Sequence, residues 1–265
     1  MRKTARWPIA AMLGVLTLAG SGPLSGCATA ASKARAKQNT LKARSHFEIG
    51  ADHLNNGRDA DGLREMLRAE TLDPRNARIH MGLAEAYKRK GRIEEAEKQL
   101  RRVLELHPPY HDARLMLSNL YIHLERYEDA LSETRVLMDD PTFPGVWRAL
   151  TNQGWAKFRM GRNAEARGDL ELALEYRRHY WPALLNLGIL EAQEGHHFEA
   201  ITLFGEMLAS DVRPGALAEA NYRIAELYIS TGYRERAVAH LVAAVDQAAN
   251  GPWGKKSEEY LKILR

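Results

Sequence analysis

Few side chains in this 265-residue chain are spaced for chemistry. The single cysteine, Cys27, has no partner within the chain, so no internal disulfide can form. His107 and His111 stand four residues apart, a spacing that would put two imidazoles on one helix face for a metal ion. Pro108 and Pro109 lie between them, and proline lacks the N–H that a helix interior needs. His196 and His197 are adjacent and diverge from a helix start. Asp139 and Asp140 precede Pro141, at a helix exit where solvated loop carboxylates are common. No glycine-rich phosphate loop follows a strand, and no strands are expected. The chain therefore reads as no enzyme, with no catalytic residue, metal site, cofactor or small-molecule substrate expected.

Cys27 is better explained by what precedes it. Arg2, Lys3 and Arg6 form a positive start, and residues 9–19 form a short, nearly uncharged apolar run. Together they have the layout of an export signal. The run is shorter than the roughly 20 apolar residues of a spanning helix. Leu24, Ser25, Gly26 and Cys27 follow, and this order resembles the lipobox of bacterial lipoproteins. The resemblance implies cleavage after residue 26, acylation of Cys27 and a chain tethered to the membrane by lipid. Because Ala28 rather than aspartate follows the cysteine, it also implies a place at the outer membrane, facing the periplasm.

Residues 1–26 hold three Lys and Arg and no Asp or Glu; beyond them 35 basic face 34 acidic side chains, a net of +1. A near-neutral mature chain gives no electrostatic case for nucleic acid, which calls for clustered cations. One basic cluster, Lys33, Arg35, Lys37, Lys42 and Arg44, lies beside the anchor, where it could solvate a linker or touch anionic headgroups. Residues 27–42 are rich in Ala, Lys and Ser without helical apolar spacing, and are expected to form a flexible tether.

The elements that position everything else come from an internal repeat. Pro74 in "LDPRN" and Pro108 in "LHPPY" are 34 residues apart, the tetratricopeptide period. Aligned on the prolines and on small residues, the chain from 43 to 265 divides into six units starting near 43, 77, 111, 147, 181 and 218. Small residues fall eighth in each (Gly50, Ala84, Ser118, Gly154, Gly188, Ala225) and twentieth (Gly62, Ala96, Ala130, Ala166, Ala200, Ala237). Each unit is then a helical hairpin whose helices cross where only a small side chain fits. Glycine recurs at the turn as Gly57, Gly91, Gly161, Gly195 and Gly232, with Glu125 in the third unit. Longer connections are expected at "DDPTFPG" and "SDVRPG", and a cap over 255–265 with Tyr260, Leu261 and Leu264 on one face. The pattern resembles tetratricopeptide repeats over about 220 residues, and the fold class is all-α: a right-handed superhelical solenoid of six hairpins closed by a C-terminal helix.

Such solenoids bind partners on the concave face made by the first helix of each hairpin. Positions two, five, nine, twelve and thirteen of each unit are expected there, and the run is apolar at its centre. The candidate partner-binding residues are Leu115, Asn119, Ile122, Trp155, Phe158, Arg159, Leu185, Ile189 and Tyr222. An apolar strip rimmed by polar groups suits one face of an amphipathic helix or an extended peptide. The leucines and isoleucines serve equally well as core, whereas Trp155 is large for ordinary hairpin packing. The carboxylate clamp of chaperone-binding repeats, a lysine with asparagines on successive first helices, is not reproduced, since Asn119 stands alone.

The stretch from Asp140 to Leu187, with "DPTFP" and then "NQGWAKFRMGRNAEARGDLELALEYRRHYWPALLNLG", resembles the pilotins of type IV pili, which carry an aspartate and aromatic-proline loop between the third and fourth units. The resemblance implies a lipid-anchored protein that binds secretin subunits and assists their assembly in the outer membrane. The competing reading is a general periplasmic adaptor that docks cell-wall or other envelope enzymes.

Overall fold

The computed structural model describes residues 24–210 and 212–264, with side chains from Thr29 onward; residues 1–23 of the expected export signal and the side chain of Cys27 lie outside them. Among the described residues there are thirteen helices and no strand: α1 (Leu24–Asn55), α2 (Asp59–Leu72), α3 (Ala77–Arg89), α4 (Ile93–Leu106), α5 (His111–His123), α6 (Tyr127–Met138), α7 (Val146–Arg159), α8 (Asn163–Tyr176), α9 (Trp181–Gln193), α10 (His197–Leu208), α11 (Pro214–Ser230), α12 (Arg234–Ala248) and α13 (Pro252–Leu264). Each helix packs on the next, so α1 to α12 form six stacked hairpins and α13 closes the end. The result is an all-α tetratricopeptide superhelix.

Sterics at the crossings explain the small residues. A Cβ on Gly154 would stand 2.8 Å from Leu170 and 3.0 Å from the Ala166 carbonyl, and one on Gly188 would stand 2.5 Å from Phe204. Ala130, Ala166, Ala200 and Ala237 are fully buried at the matching places on the second helices. Ala166→Leu is accordingly expected to cost about 2 kcal/mol, since overpacking a close contact typically costs 1–3. Chemical denaturation would show it, and an unchanged midpoint would mean that this crossing is not tight.

Turn geometry is equally regular. Gly91, at φ +70°, lets the Arg92 N–H reach the Tyr87 carbonyl at 2.9 Å while its own N–H bonds Lys88 at 3.0 Å, the Schellman closure of a helix end. Glu125 does the same at φ +59°, with Arg126 bonded to the Tyr121 carbonyl at 2.8 Å, although a side chain there is strained. A second regularity ties the hairpins inside: residues nineteen apart bond across four of them, as His46–Glu65, His80–Gln99, Arg114–Glu133 and Asn221–His240, at 2.6–2.8 Å.

Three segments differ from expectation. Residues 27–42, read as a flexible tether, are helical and continuous with the first hairpin, because alanine and lysine favour helix even without an apolar face. α11 starts at Pro214, four residues before the sixth unit's expected start, and α13 starts at Pro252. Asp140 is not a free loop carboxylate. It accepts from the Thr142 hydroxyl and backbone N–H at 2.7 and 2.8 Å and pairs with His111 Nε2 at 2.7 Å. Those bonds, the Thr142 hydroxyl's first, lower its pKa to about 2. Phe143 is buried beside it with its ring edge-on to His111 at 5.2 Å, so the inserted loop is pinned to the start of α5.

Candidate functional site

First helices touch one another along the stack, α1 with α3, α5 with α7 and α7 with α9, whereas no two second helices make a comparable contact. The stack therefore curves toward the first helices, and these line its concave face. A cavity of about 190 Å³ opens on that face. Leu115 and Met116 of α5 are its apolar lining. Asn119 of α5 and Asn152 of α7 bring two amides, Lys88 of α3 and Arg148 of α7 two cations, and Tyr180, which caps α9, a phenol.

The cavity is internally braced. Asn152 Nδ2 donates to Ser118 Oγ at 2.6 Å and to the Leu115 carbonyl at 3.3 Å, which fixes its amide. Arg148 pairs with Asp112 at 2.9 Å, and Lys88 with Glu85 at 2.6 Å. Burial raises the pKa of the Tyr180 phenol, while neighbouring Arg148 pulls the other way, so the hydroxyl stays protonated at neutral pH. The Asn119 amide is exposed and has no hydrogen-bond partner among the described residues. The free Asn119 amide and the Asn152 amide oxygen can pair with an extended backbone, and the cations with a carboxylate, above an apolar floor.

Of the residues expected to bind a partner, only Leu115 and Asn119 meet in this cavity, and Leu115 is itself largely buried in a core cluster with Leu137, Phe143 and Ala149. Ile122, Phe158 and Leu185 are buried by neighbouring helices and serve as core. Tyr222 is buried beneath α13, its ring 5.2 Å from Trp253 and 6.5 Å from Tyr260. Ile189 is half-buried against α9's core neighbours. Trp155 is half-buried too, 5.1 Å from Phe158, and joins two core clusters. Arg159 is exposed but lies apart from the cavity, bonded to Glu125 at 3.2 Å and stacked over Tyr127. Asn119 does not stand alone, since Asn152 faces the same space. Met116 and Asn152 occupy the sixth position of their units, a position the register could have included, because residues two, six and nine share one helix face.

A second cluster forms where the adjacent histidines lie. Glu191, Glu194 and His196 place possible metal-ligand atoms within 4.8 Å of one another. Arg167 occupies the centre instead: it bonds Glu191 at 2.7 Å and Glu194 at 2.5 Å, and His196 pairs with Glu191 at 2.6 Å. The arginine supplies the positive charge that a cation would bring, so the cluster is a structural ion network between the fourth and fifth hairpins.

Comparison with known proteins agrees with this architecture. Tetratricopeptide-repeat family models match residues 63–109, 151–216 and 218–250, together more than half of the chain. A tetratricopeptide repeat-containing protein of Caenorhabditis elegans, trd-1, is 27% identical over 197 residues, 74% of this chain but only 24% of its own length. Among solved structures, PilF of Pseudomonas aeruginosa superposes with a TM-score of 0.63 at 16% identity, covering 84% of this chain and 99% of PilF. PilW, described as a widely conserved type IV pilus biogenesis factor, gives 0.65 at 16%, covering 81% and 97%. A chain of the APC/C hetero-tetramer Cut9–Hcn1 gives 0.69 at 18%, covering 84% of this chain and 43% of its own. At these identities the structural likeness is one of fold.

Proposed function

Since the chain is a tetratricopeptide-repeat protein, a protein-interaction scaffold by architecture, we propose that it is a pilotin, held at the periplasmic side of the outer membrane by lipid on Cys27, that binds secretin subunits of a type IV pilus machine. The supporting observation is the end-to-end match to PilF and PilW: nearly all of each is covered by this chain, whereas the matched chain of the Cut9–Hcn1 complex is covered over less than half its length. The concave cavity supplies the grip. Its amides and cations suit a partner segment that presents extended backbone and a carboxylate, with an apolar side chain against Leu115 and Met116. Acyl chains supply the address, because two or more on one residue hold far more firmly than one, at about 0.8 kcal/mol per buried methylene.

Purification in detergent tests the partner: secretin subunits in the eluate support the reading, and cell-wall enzymes in their place would replace it with the general envelope adaptor. The anchor is tested separately. Cys27→Ser is expected to abolish incorporation of labelled palmitate and to remove the chain from the outer-membrane fraction, because the thiol is the only one available. Palmitate still incorporated into that variant would refute the lipid attachment.

A further inference from the structure

The first 47 residues contain no Asp or Glu, so every charge before Glu48 is positive. Within the described residues this stretch is α1, which runs unbroken from Leu24 to Asn55. Packing against the repeats begins abruptly at the fully buried Ala43; before it, residues 29–42 are exposed apart from the half-buried Asn39. This is a helical post of 14 residues, about 21 Å long at 1.5 Å per residue, standing clear of the solenoid except at its base, where Thr40 lines a cleft with Asn76, Arg78 and Ile79. Lys33, Arg35, Lys37 and Lys42 lie on it, and none of the four has an ion-pair partner among the described residues, in contrast to Arg44, which bonds Glu48 at 2.8 Å.

At 100° per residue, Lys33 and Lys37 point to one side and Arg35 and Lys42 to the other. The only large apolar side chain in the segment is Leu41. A helix with cations on opposite faces and no apolar stripe cannot lie in the acyl boundary as an interfacial helix does. It can meet headgroup phosphates from any rotation about its axis. We propose that residues 29–42 form a rigid cationic post that binds anionic lipid headgroups and holds the repeats off the membrane. The occupant follows from charge complementarity and from the position of the post, next to Cys27. In this it rests on the membrane-anchored reading, but its charge interaction is independent of acylation.

The test uses the full chain carrying Cys27→Ser, so that acyl chains do not mask the effect, against the same chain with Lys33→Gln, Arg35→Gln, Lys37→Gln and Lys42→Gln added. Glutamine keeps helix propensity, and circular dichroism should be unchanged. Vesicles of phosphatidylglycerol and phosphatidylcholine are compared with pure phosphatidylcholine by co-sedimentation. A cation near an anionic surface is worth roughly a fivefold gain in partition, so the four changes should lower binding to anionic vesicles by more than tenfold and leave neutral vesicles unaffected. Raising the salt from 0.05 to about 0.5 M should erase the difference, as the Debye length contracts. Any contribution of the signal residues is common to both chains and cancels. Equal binding of the two chains to anionic vesicles would overturn the proposal even if palmitate labelling upholds the anchor; a tenfold loss would sustain it even if Cys27 proved unacylated.

Discussion

Trp155→Ala is expected to lower the unfolding free energy by about 3 kcal/mol, the lower end of the range for deleting a large aromatic side chain from a core. Trp155 sits ninth in the fourth unit, where its size favours a contact for a partner over hairpin packing from sequence. In the structure it packs against the cluster of the first three hairpins and against the cluster of Phe158, Ala166 and Leu190, with the Phe158 ring 5.1 Å away. It therefore couples the third hairpin to the fourth, and most of its surface is already withdrawn from water. In a solenoid each unit contacts only its neighbours, so loss of one interface term weakens the array between hairpins as well as within one. Denaturant unfolding should show a lower midpoint, together with faster amide exchange in α5 to α8. A variant that melts like the wild type would return Trp155 to the list of partner contacts.

The hairpins were legible because they depend on short-range sterics. An alanine at the crossing or a glycine at positive φ is demanded by atoms within the same unit, and so recurs from unit to unit, 34 residues apart except across the two lengthened connections. Glu125 shows the tolerance of that rule: the backbone closure forms around a strained residue because five bonded turns elsewhere and a packed hairpin outweigh one left-handed φ. The groove was less legible because its lining is decided between units. Whether a first-helix residue is open or covered depends on how far the next helix has rotated along the stack. Ile122, Phe158 and Leu185 are closed over by that neighbour, while Met116 and Asn152, one register step away, remain open to the cavity. Tyr222 was misread for a different reason, the presence of α13 across it. Tyr180 was missed because it caps the first helix of its unit, the place Asn76 and Tyr110 hold in theirs, and the register considered only positions within the first helices. Arg167 of α8 likewise joins two hairpins, bonding Glu191 and Glu194 of the next unit, a contact that the pattern within one unit does not reveal.

Lys88→Glu combined with Arg148→Glu should weaken partner capture by about 30-fold or more, equivalent to roughly 2 kcal/mol. Both side chains are exposed, so their replacement is expected to leave folding within about 0.5 kcal/mol of the wild type. At the cavity the change is large: two cations become carboxylates beside Asp112 and Glu85, which already lie within ion-pair distance of these positions. A partner carboxylate would then meet four negative charges in place of two neutralised pairs. Asn119→Ala tests the other half of the recognition. Because that amide has no internal partner, its loss removes only what it donates to or accepts from the bound segment. A smaller decrease is expected, about 1 kcal/mol for a neutral hydrogen bond. The measurement is secretin recovery in a pull-down, read beside the melting temperature of each variant and repeated at two salt concentrations. Recovery at the wild-type level from a folded double-glutamate variant would remove the concave cavity from the mechanism. The search would then move to the outer face at α10, where Phe198 stands 76% exposed over a cleft lined by Thr202, Leu203 and Glu199.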